Sequence, residues 1–250
     1  MRLPEGWIVP DWPAPACVQA VTTTRQGGVS VGAYASMNPA DHVGDAPEAV
    51  AANRARLQQE LALPAPPVWL QQVHGITIVD AGTVSGTPQA DAAFASRPGV
   101  VCSVLTADCL PLLLCDRAGE RVAAVHAGWH GLAAGVIEQA VMALGLPGDS
   151  LLAWLGPAIS AVAYQVGDEV RDAFVRHDQR AAAAFTAAAG GGWHADLYGL
   201  ARQRLAVCGV TRSNGGGQCS YGEPARFFSY RRDGRCGRMA SLIWLSRSGN

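Results

Sequence analysis

Short apolar runs alternate with stretches of helical periodicity along this chain, and glycine, proline or polar residues separate them. Apolar runs bounded by such turn residues are typical of strands. They predict strands at Val18–Thr24, Val68–Leu70, Ile76–Val79, Val100–Leu105, Leu110–Cys115, Val122–Val125, Leu151–Leu155 and Met239–Leu245.

Apolar residues spaced three and four positions apart predict four helices. These are Glu48–Leu63, Leu132–Leu144, Asp168–His177 and Asp196–Val207. For the first helix we expect Asp45 as the N-cap, Pro47 in the first turn and Pro64 after the end. The stretch Ser213–Gly237 is predicted to be rich in loops. Because helices and strands interleave without a linker or repeat, we predict one α+β domain with mixed sheets over residues 1–250.

Composition narrows the class of protein. Hydrophobic residues form 49% of the 250 residues, which is enough for a large buried core. A net charge of −1 and a pI of about 6.6 give no general attraction to nucleic acid or to an anionic membrane. No apolar run approaches the ~20 residues of a membrane span, and the start M-R-L-P-E-G-W-I-V-P has no signal-peptide core. The seven scattered cysteines then indicate reduced thiols in a cytoplasm.

All 19 basic residues are arginines. The absence of lysine excludes chemistry that needs a lysine amine, such as Schiff-base formation or the lysine of a P-loop. Any anion held by a permanent side-chain cation is therefore held by arginine.

Three side chains suited to a soft metal stand where apolar runs meet glycine, proline or polar residues. They are His74 in Q-Q-V-H-G, Cys109 in T-A-D-C-L-P and His126 in V-H-A-G-W-H-G. Two imidazoles and one thiolate suit Zn²⁺ or copper, and three protein ligands leave a position open for water or substrate. Taken singly, each residue is also explained as a core histidine or a buried thiol. Their shared setting favours a metal centre built from three different elements.

Three residues near this set are candidates for supporting roles. Gln72 lies two positions before His74, on the same face of an extended chain, where it could contact substrate or simply be exposed. Asp108 adjoins Cys109 and is a candidate acid or base, although in a regular strand it would point away and bind nearby backbone. His130 is also a candidate for catalysis or substrate binding. It follows His126 by four positions, as in a metalloprotease helix, but Ala127 stands where that motif has its glutamate, so a metalloprotease is rejected.

Arginines are the candidates for binding an anion. Arg231 and Arg232 follow the aromatic residues of F-F-S-Y, and Arg54 is a third candidate. Guanidinium groups grip phosphate or carboxylate with two parallel hydrogen bonds. Aromatic side chains that could stack on a planar ring are Trp129, Tyr164, Phe227 and Tyr230, although core packing also explains them.

The ordered motifs resemble the YfiH family, also called the laccase-domain or multicopper-polyphenol-oxidase-like family. They include T-T-R-Q-G-G-V-S, H-V-G-D, W-L-Q-Q-V-H-G, T-A-D-C-L-P, A-V-H-A-G-W, W-L-G-P-A-I and F-F-S-Y-R-R-D. The resemblance implies a four-layer α/β/β/α sandwich and one metal centre, with His74, Cys109 and His126 matching the family's ligands. It also implies phosphorolysis of adenosine, inosine and methylthioadenosine to base and ribose 1-phosphate, and deamination of adenosine. The expected partners are purine nucleoside and phosphate, in a monomer or weak homodimer.

Other activities fit the same residues. A laccase-type copper cluster normally contains H-x-H pairs, and six histidines without one such pair leave only mononuclear copper oxidation of phenols. A peptidoglycan-precursor editing hydrolase is another activity assigned to relatives. A metal-free hydrolase would use Cys109 as nucleophile, with His126 or His74 as base. An interaction module with a structural metal is disfavoured, because structural zinc usually has four protein ligands.

Three positions depart from the family pattern. His130 stands where H-A-G-W-R-G would place an arginine, so a titrating side chain replaces a permanent cation. Ala163 replaces a cysteine before Tyr164, and Asn38-Pro39-Ala40 replaces N-L-G.

Overall fold

Two β-sheets stacked face to face form the centre of the molecule. The structure, a computed structural model, describes residues 6–246. Its strands are β1 Val18–Thr22, β2 Ile78–Asp80, β3 Ala92–Ala95, β4 Val101–Thr106, β5 Leu110–Asp116, β6 Val122–Ala127, β7 Leu151–Leu155, β8 Gln165–Val166, β9 Phe185–Ala187, β10 Trp193–Ala195, β11 Ser213–Gly215 and β12 Met239–Leu245. The larger sheet has the order β11-β7-β5-β6-β3-β2, and the smaller has β1-β12-β4.

The larger sheet is mixed and the smaller one is antiparallel. In the larger sheet, β5 pairs antiparallel with β6 and β7, whereas β2 pairs parallel with β3 and β11 pairs parallel with β7. In the smaller sheet, β12 pairs antiparallel with β1 and β4. A third sheet of short strands has the order β8-β10-β9 and was not predicted.

Alternating side chains divide the interior into layers. In β4, Cys102 and Val104 face the layer between the two large sheets, where they pack with Leu113 and Ala124 of the larger sheet. The opposite face of the smaller sheet packs against Leu57 of helix α1, Pro47–Glu60. This alternation is the period of two that a strand requires.

Helices also cover the outer face of the larger sheet. They are α2 Trp129–Ala134, α3 Val136–Leu144, α4 Asp168–Val175 and α5 Leu197–Val207, and α6 Tyr230–Asp233 is a single turn elsewhere. Ile137 of α3 and Leu205 of α5 pack with Leu112 and Val125 of the sheet. The predicted four-layer α/β/β/α sandwich with mixed sheets is confirmed. The predicted domain bounds, residues 1–250, include termini outside the described residues and stay a prediction.

Several local predictions were wrong. The helix predicted at Leu132–Leu144 is two helices, because Gly135 takes a left-handed φ of 102° between them. The N-cap of α1 is Ala46, since the Asp45 carboxylate instead accepts hydrogen bonds from Ser30 and Asn38. The segment Val68–Leu70 forms only an isolated bridge to β4.

The alanine-rich strand β3 was missed, as were β11 and α6 inside the stretch predicted as loop. All seven cysteines lie in the described part of the chain and are free thiols. Within residues 6–246, no helix is both long and apolar enough to cross a membrane.

Candidate metal centre

The predicted ligands come together where the central strands β5 and β6 of the larger sheet begin and end. Cys109 is the residue before β5, and His126 is the penultimate residue of β6. Because β5 and β6 are antiparallel, with Leu110 opposite Ala127, the start of one strand lies beside the end of the other. His74 comes from the loop before β2. The side chain of His126 follows Val122 and Ala124 on the face of β6 between the sheets, so the cluster closes one end of that layer.

The three donor groups form a compact cluster. Their ligand atoms all lie within 4.8 Å of one another. Cys109 Sγ lies 3.7 Å from His74 Nε2, and the two imidazole rings meet edge to face with centroids 4.7 Å apart. His126 is buried, Cys109 is half-buried and His74 is exposed, so the cluster opens to solvent on the His74 side.

The buried carboxylate of Asp91 positions both histidines, and sequence reasoning missed it. Its Oδ1 accepts hydrogen bonds from His126 Nδ1, 2.8 Å away, and from the His74 backbone N–H, 2.9 Å away. Its Oδ2 accepts from the backbone N–H of Gly75 at 2.6 Å. These bonds hold His74 at its left-handed φ of 59° and leave Nε2 of His126 free to bind an ion. An acidic residue inside the apolar run of A-D-A-A-F-A was the available signal.

Gly128 leaves the space that the cluster occupies. A Cβ at this position would lie 2.6 Å from His74 Cδ2 and 3.1 Å from Cys109 Sγ. Any larger residue would therefore push the two ligands apart, which gives the glycine of H-A-G-W a direct role in the shape of the site.

The charges of the cluster reinforce one another in the metal-free protein. Burial opposes the Cys109 thiolate, but the positive charge and hydrogen bond of His126, together with His74, lower the pKa of Cys109 to about 6. Burial also opposes a charged His126, but the Cys109 thiolate and the hydrogen bond to Asp91 raise the pKa of His126 to about 9. At neutral pH the two residues therefore form a thiolate–imidazolium pair.

This donor set fits a zinc or copper ion. Two imidazole nitrogens and a thiolate are ligands of both metals, and a carboxylate bonded to the remote nitrogen of one histidine is the usual support for a metal-bound imidazole. One side of the cluster is open, which is the arrangement of a catalytic rather than a structural site.

A cleft of about 170 Å³ adjoins Cys109. Its walls include three aromatic side chains, those of Trp129, Tyr164 and Tyr230, and the polar residues Asp108 and Arg231. A concave, largely apolar site with a few polar groups is typical of small-molecule binding. A larger cavity of about 390 Å³ lies against α5, but its lining lacks all three cluster residues.

The structure gives several candidate residues scaffolding contacts. The amide of Gln72 donates to the Leu105 carbonyl at 2.8 Å and accepts from the Leu105 N–H at 2.7 Å, so it ties the His74 loop to β4. The carboxylate of Asp108 accepts hydrogen bonds from the Ser220 hydroxyl and the Arg231 backbone N–H, both at 2.6 Å. A left-handed φ of 93° turns Asp108 toward these partners although it also borders the cleft.

The three candidate arginines separate into different positions. Arg231 borders the cleft and its guanidinium lies 5.2 Å from the centre of the Tyr164 ring. Arg232 donates to the carbonyls of Ser220, Tyr221 and Phe227 and to the carboxylate of Asp233. Arg54 lies on α1, where it donates to the Pro39 carbonyl and pairs with Asp41. Of the three, only Arg231 borders the cleft beside Cys109.

His130 is exposed and stacks on Trp129, with ring centroids 3.5 Å apart. It lies in the first turn of α2. Its neighbour Trp129 borders the cleft, so His130 contacts the wall of the cleft from outside.

Fold and site together define a class of α/β/β/α sandwich proteins with one His–Cys–His centre at the ends of paired strands. The family model described as multi-copper polyphenol oxidoreductase laccase matches residues 19–246. The chain belongs to this family. Among residues 6–246, the His74–Cys109–His126 set is the one group of three or more potential ligands close enough to share an ion.

The chain is similar to named relatives and to solved structures over nearly its whole length. A Pseudomonas aeruginosa protein named purine nucleoside phosphorylase is 55% identical over 241 residues, 96% of this chain and 98% of that protein. The Escherichia coli purine nucleoside phosphorylase YfiH is 52% identical, over 95% of this chain and 98% of that protein. A crystal structure of a Neisseria meningitidis protein superposes with a TM-score of 0.94 at 51% identity, covering 97% of this chain and 100% of that one. YlmD from Geobacillus stearothermophilus has a TM-score of 0.89 at 29% identity, covering 99% and 98%.

Proposed function

We propose that this protein is a zinc-dependent purine nucleoside phosphorylase that converts adenosine and inosine to the free base and ribose 1-phosphate. The observation that carries the proposal is the His74–Cys109–His126 cluster, whose Cys109 borders a cleft with aromatic walls and one arginine. The names of the curated relatives support the same reaction.

The cleft supplies two kinds of recognition. Trp129 and Tyr230 present flat rings on its walls, which suit stacking on a purine. Arg231 supplies a permanent cation at the same cleft, which suits a phosphate group. Stacking and charge pairing would hold the two substrates side by side, which lowers the entropic cost of their reaction.

His74, Cys109 and His126 would hold the metal, and Asp91 would fix the orientation of His126. A bound zinc ion would supply Lewis acidity and a concentrated positive charge beside the cleft. Cys109 suits metal ligation because its pKa of about 6 makes the thiolate, the form that binds metal, the main form at neutral pH.

Adenosine deamination and cleavage of methylthioadenosine are further parts of the proposal. Deamination of a base at a zinc site ordinarily needs a separate proton-shuttling carboxylate. Among the described residues that line the cleft, Asp108 is the one with a carboxylate side chain. Both of its oxygens already accept hydrogen bonds from the protein. Phosphorolysis is therefore the better supported of the two reactions.

The test is a product analysis combined with metal analysis. We expect protein purified without added metal to contain about one zinc per chain, and to release hypoxanthine from inosine only when phosphate is present. Ribose 1-phosphate should form in equal amount, and chelation should stop the reaction until zinc returns. Absence of phosphate-dependent base release from purine nucleosides, together with copper-dependent oxidation of phenols, would establish the copper alternative instead.

A metal-free cysteine hydrolase is a second candidate, favoured by one observation. Cys109, His126 and Asp91 form a thiolate, an imidazolium and a carboxylate in series, which is the arrangement of a catalytic triad. Alkylation separates the two candidates. In the zinc enzyme, bound metal should protect Cys109 from iodoacetamide, whereas a metal-free hydrolase would be alkylated and inactivated at the same rate with or without a chelator.

The remaining expectations stay predictions. They are a cytoplasmic location, a monomer or weak homodimer, partners limited to small molecules, and no binding of nucleic acid or membranes. A peptidoglycan-precursor editing activity likewise stays an alternative, to be tested on the precursor itself.

A further inference from the structure

Tyr164 holds a distinct position among the aromatic residues of the cleft. It borders the cleft together with Cys109 and Asp108 and is half-buried, whereas Tyr230 is 62% exposed. The Arg231 guanidinium lies 5.2 Å from the centre of the Tyr164 ring, while its Nη1 donates to the Gln165 carbonyl at 2.8 Å. The ring is therefore held between the start of β8 and the arginine.

The hydroxyl of Tyr164 has no protein hydrogen-bond partner among the described residues. Tyr198 of α5 is the contrast, because its hydroxyl accepts from the N–H of Ala158 and lies within hydrogen-bond distance of the carbonyls of Gln218, at 2.7 Å, and Gly156, at 3.0 Å. The Tyr164 oxygen is not among the fully buried polar atoms that lack a partner, so it is accessible to solvent. A phenol that borders a cleft with its donor free of protein partners is available to bind a ligand.

The charges around the phenol keep it protonated. Burial, together with the negative charges of Cys109 and Asp108, raises the pKa of Tyr164 well above its usual value, although Arg231 opposes this. Cys109, Asp108 and Arg231 line the same cleft as Tyr164. Tyr164 is therefore a neutral hydrogen-bond donor at any working pH.

We propose that the Tyr164 hydroxyl donates a hydrogen bond to the purine base as it leaves, and so acts as a catalytic residue of the phosphorolysis proposed above. In that reaction a phosphate oxygen forms a bond to C1′ of the ribose, and the bond from C1′ to N9 of the purine breaks. The electron pair of the broken bond leaves with the purine. The proton of hydrogen phosphate reaches the base through solvent, so the products balance and Tyr164 ends unchanged.

A donor aimed at this developing charge stabilises the transition state more than the bound nucleoside. Arg231 beside the same ring would hold phosphate near the ribose, so one aromatic residue links the two substrate sites. This inference depends on the proposed function, and the test separates the two.

The experiment compares wild type with Tyr164→Phe, which removes the hydroxyl and keeps the ring. We expect kcat for inosine to fall about 10²–10³-fold, as for loss of one donor to a developing anion, while the KM and the zinc content change little. The loss should be much smaller for 6-chloropurine riboside, because its base is a better leaving group and needs less stabilisation. Inosine binding measured by calorimetry without phosphate should also stay close to that of wild type.

Tyr221→Phe is the matched control, since Tyr221 is 39% exposed and lies outside the cleft lining. It should keep wild-type rates on both substrates. A Tyr164→Phe protein that keeps kcat within about twofold of wild type, or that loses the same factor on both nucleosides, would overturn the inference and leave the proposed function intact. A wild-type protein without phosphate-dependent base release would overturn the proposed function, and the role of Tyr164 with it.

Discussion

Functional roles were predicted for the metal cluster and for Arg231 and Arg232 in the arginine-rich segment, residues 226–238, and the structure gives the two regions different kinds of contact. In the cluster, the donor atoms of His74 and Cys109 face one another, 3.7 Å apart, and only His126 uses one of its nitrogens for Asp91. In the arginine-rich segment, the guanidinium of Arg232 is fully used by three carbonyls and one carboxylate. Ligand atoms that face one another in a cluster open to solvent therefore mark the site, whereas a guanidinium with every N–H bonded to protein oxygens marks the scaffold.

Arg231 and Arg232 are adjacent in the chain, but one borders the cleft and the other supports the fold. Its backbone N–H donates to Asp108, which anchors the segment, but its side chain extends to the cleft beside Tyr164. Arg232, the next residue, turns inward and ties α6 to the loop at Ser220. A pair of adjacent arginines can thus divide binding and support between them.

The largest expected effect comes from Cys109→Ala, which breaks the cluster. We expect stoichiometric zinc to be lost and phosphorolysis to fall about a thousandfold or more, since a Lewis acid supplies several kcal/mol. The fold should survive, because Cys109 lies at a strand end and not in the core. Metal analysis, activity and circular dichroism measure the three outcomes. Cys208→Ala removes a thiol at the end of α5 as the control, and a Cys109→Ala protein with full zinc would contradict the assignment.

The second prediction contrasts Arg232→Ala with Arg231→Ala. Removal of Arg232 leaves three backbone carbonyls and Asp233 without their donor, so the free energy of unfolding should fall by about 2–4 kcal/mol. Arg231→Ala should cost less than about 1 kcal/mol of stability but raise the KM for phosphate about tenfold. Urea unfolding and phosphate titration of both variants test this. Equal stability losses would mean that the two arginines do not differ in role.

Asp91→Asn weakens the cluster without removing a ligand. The substitution keeps the shape of the side chain but removes the negative charge that orients His126 and accepts from the His74 loop. We expect zinc affinity to fall about 10- to 100-fold, measured by competition with a chelating dye. As the control, Asp80→Asn alters a carboxylate at the end of β2 that bonds the Gly82 N–H. Unchanged zinc affinity in Asp91→Asn would show that the His74 loop holds its shape unaided.

The sequence predicted the cluster better than its surroundings, for a physical reason. His74, Cys109 and His126 stand at the edges of strong apolar runs, where strand ends present side chains, so local pattern carries the signal. Asp91 is the residue before the alanine-rich strand β3, which has weak β-propensity. Its importance comes from contacts with His74 and His126, 17 and 35 positions away. The four layers followed from family resemblance, since apolar alternation alone does not show which sheet faces which.

The supporting roles of Gln72 and Arg232 could not be read from the sequence. Each side chain carries the polar groups of a binding residue, but each meets backbone groups that tertiary folding brings near. The break at Gly135 is a similar case, because a glycine inside a helical pattern is tolerated and its left-handed φ is seen only in the structure.

The smallest expected effect is a change in acid stability from Asp233→Asn, which tests the scaffold side of the comparison. The hydrogen bond from Arg232 lowers the pKa of Asp233 below its usual value, and partial burial opposes this only in part. A carboxyl with a lowered pKa in the folded state stabilises the fold at pH values above its unfolded pKa of about 4. That contribution disappears as pH falls through the folded pKa. We therefore expect Asp233→Asn to lose about 1 kcal/mol or less at pH 7, and the difference from wild type to shrink below pH 4. Urea midpoints between pH 7 and pH 3 measure this, with Asp149→Asn, an exposed carboxylate, as the control. A stability difference that stays constant down to pH 3 would show that Asp233 supports Arg232 through shape rather than charge.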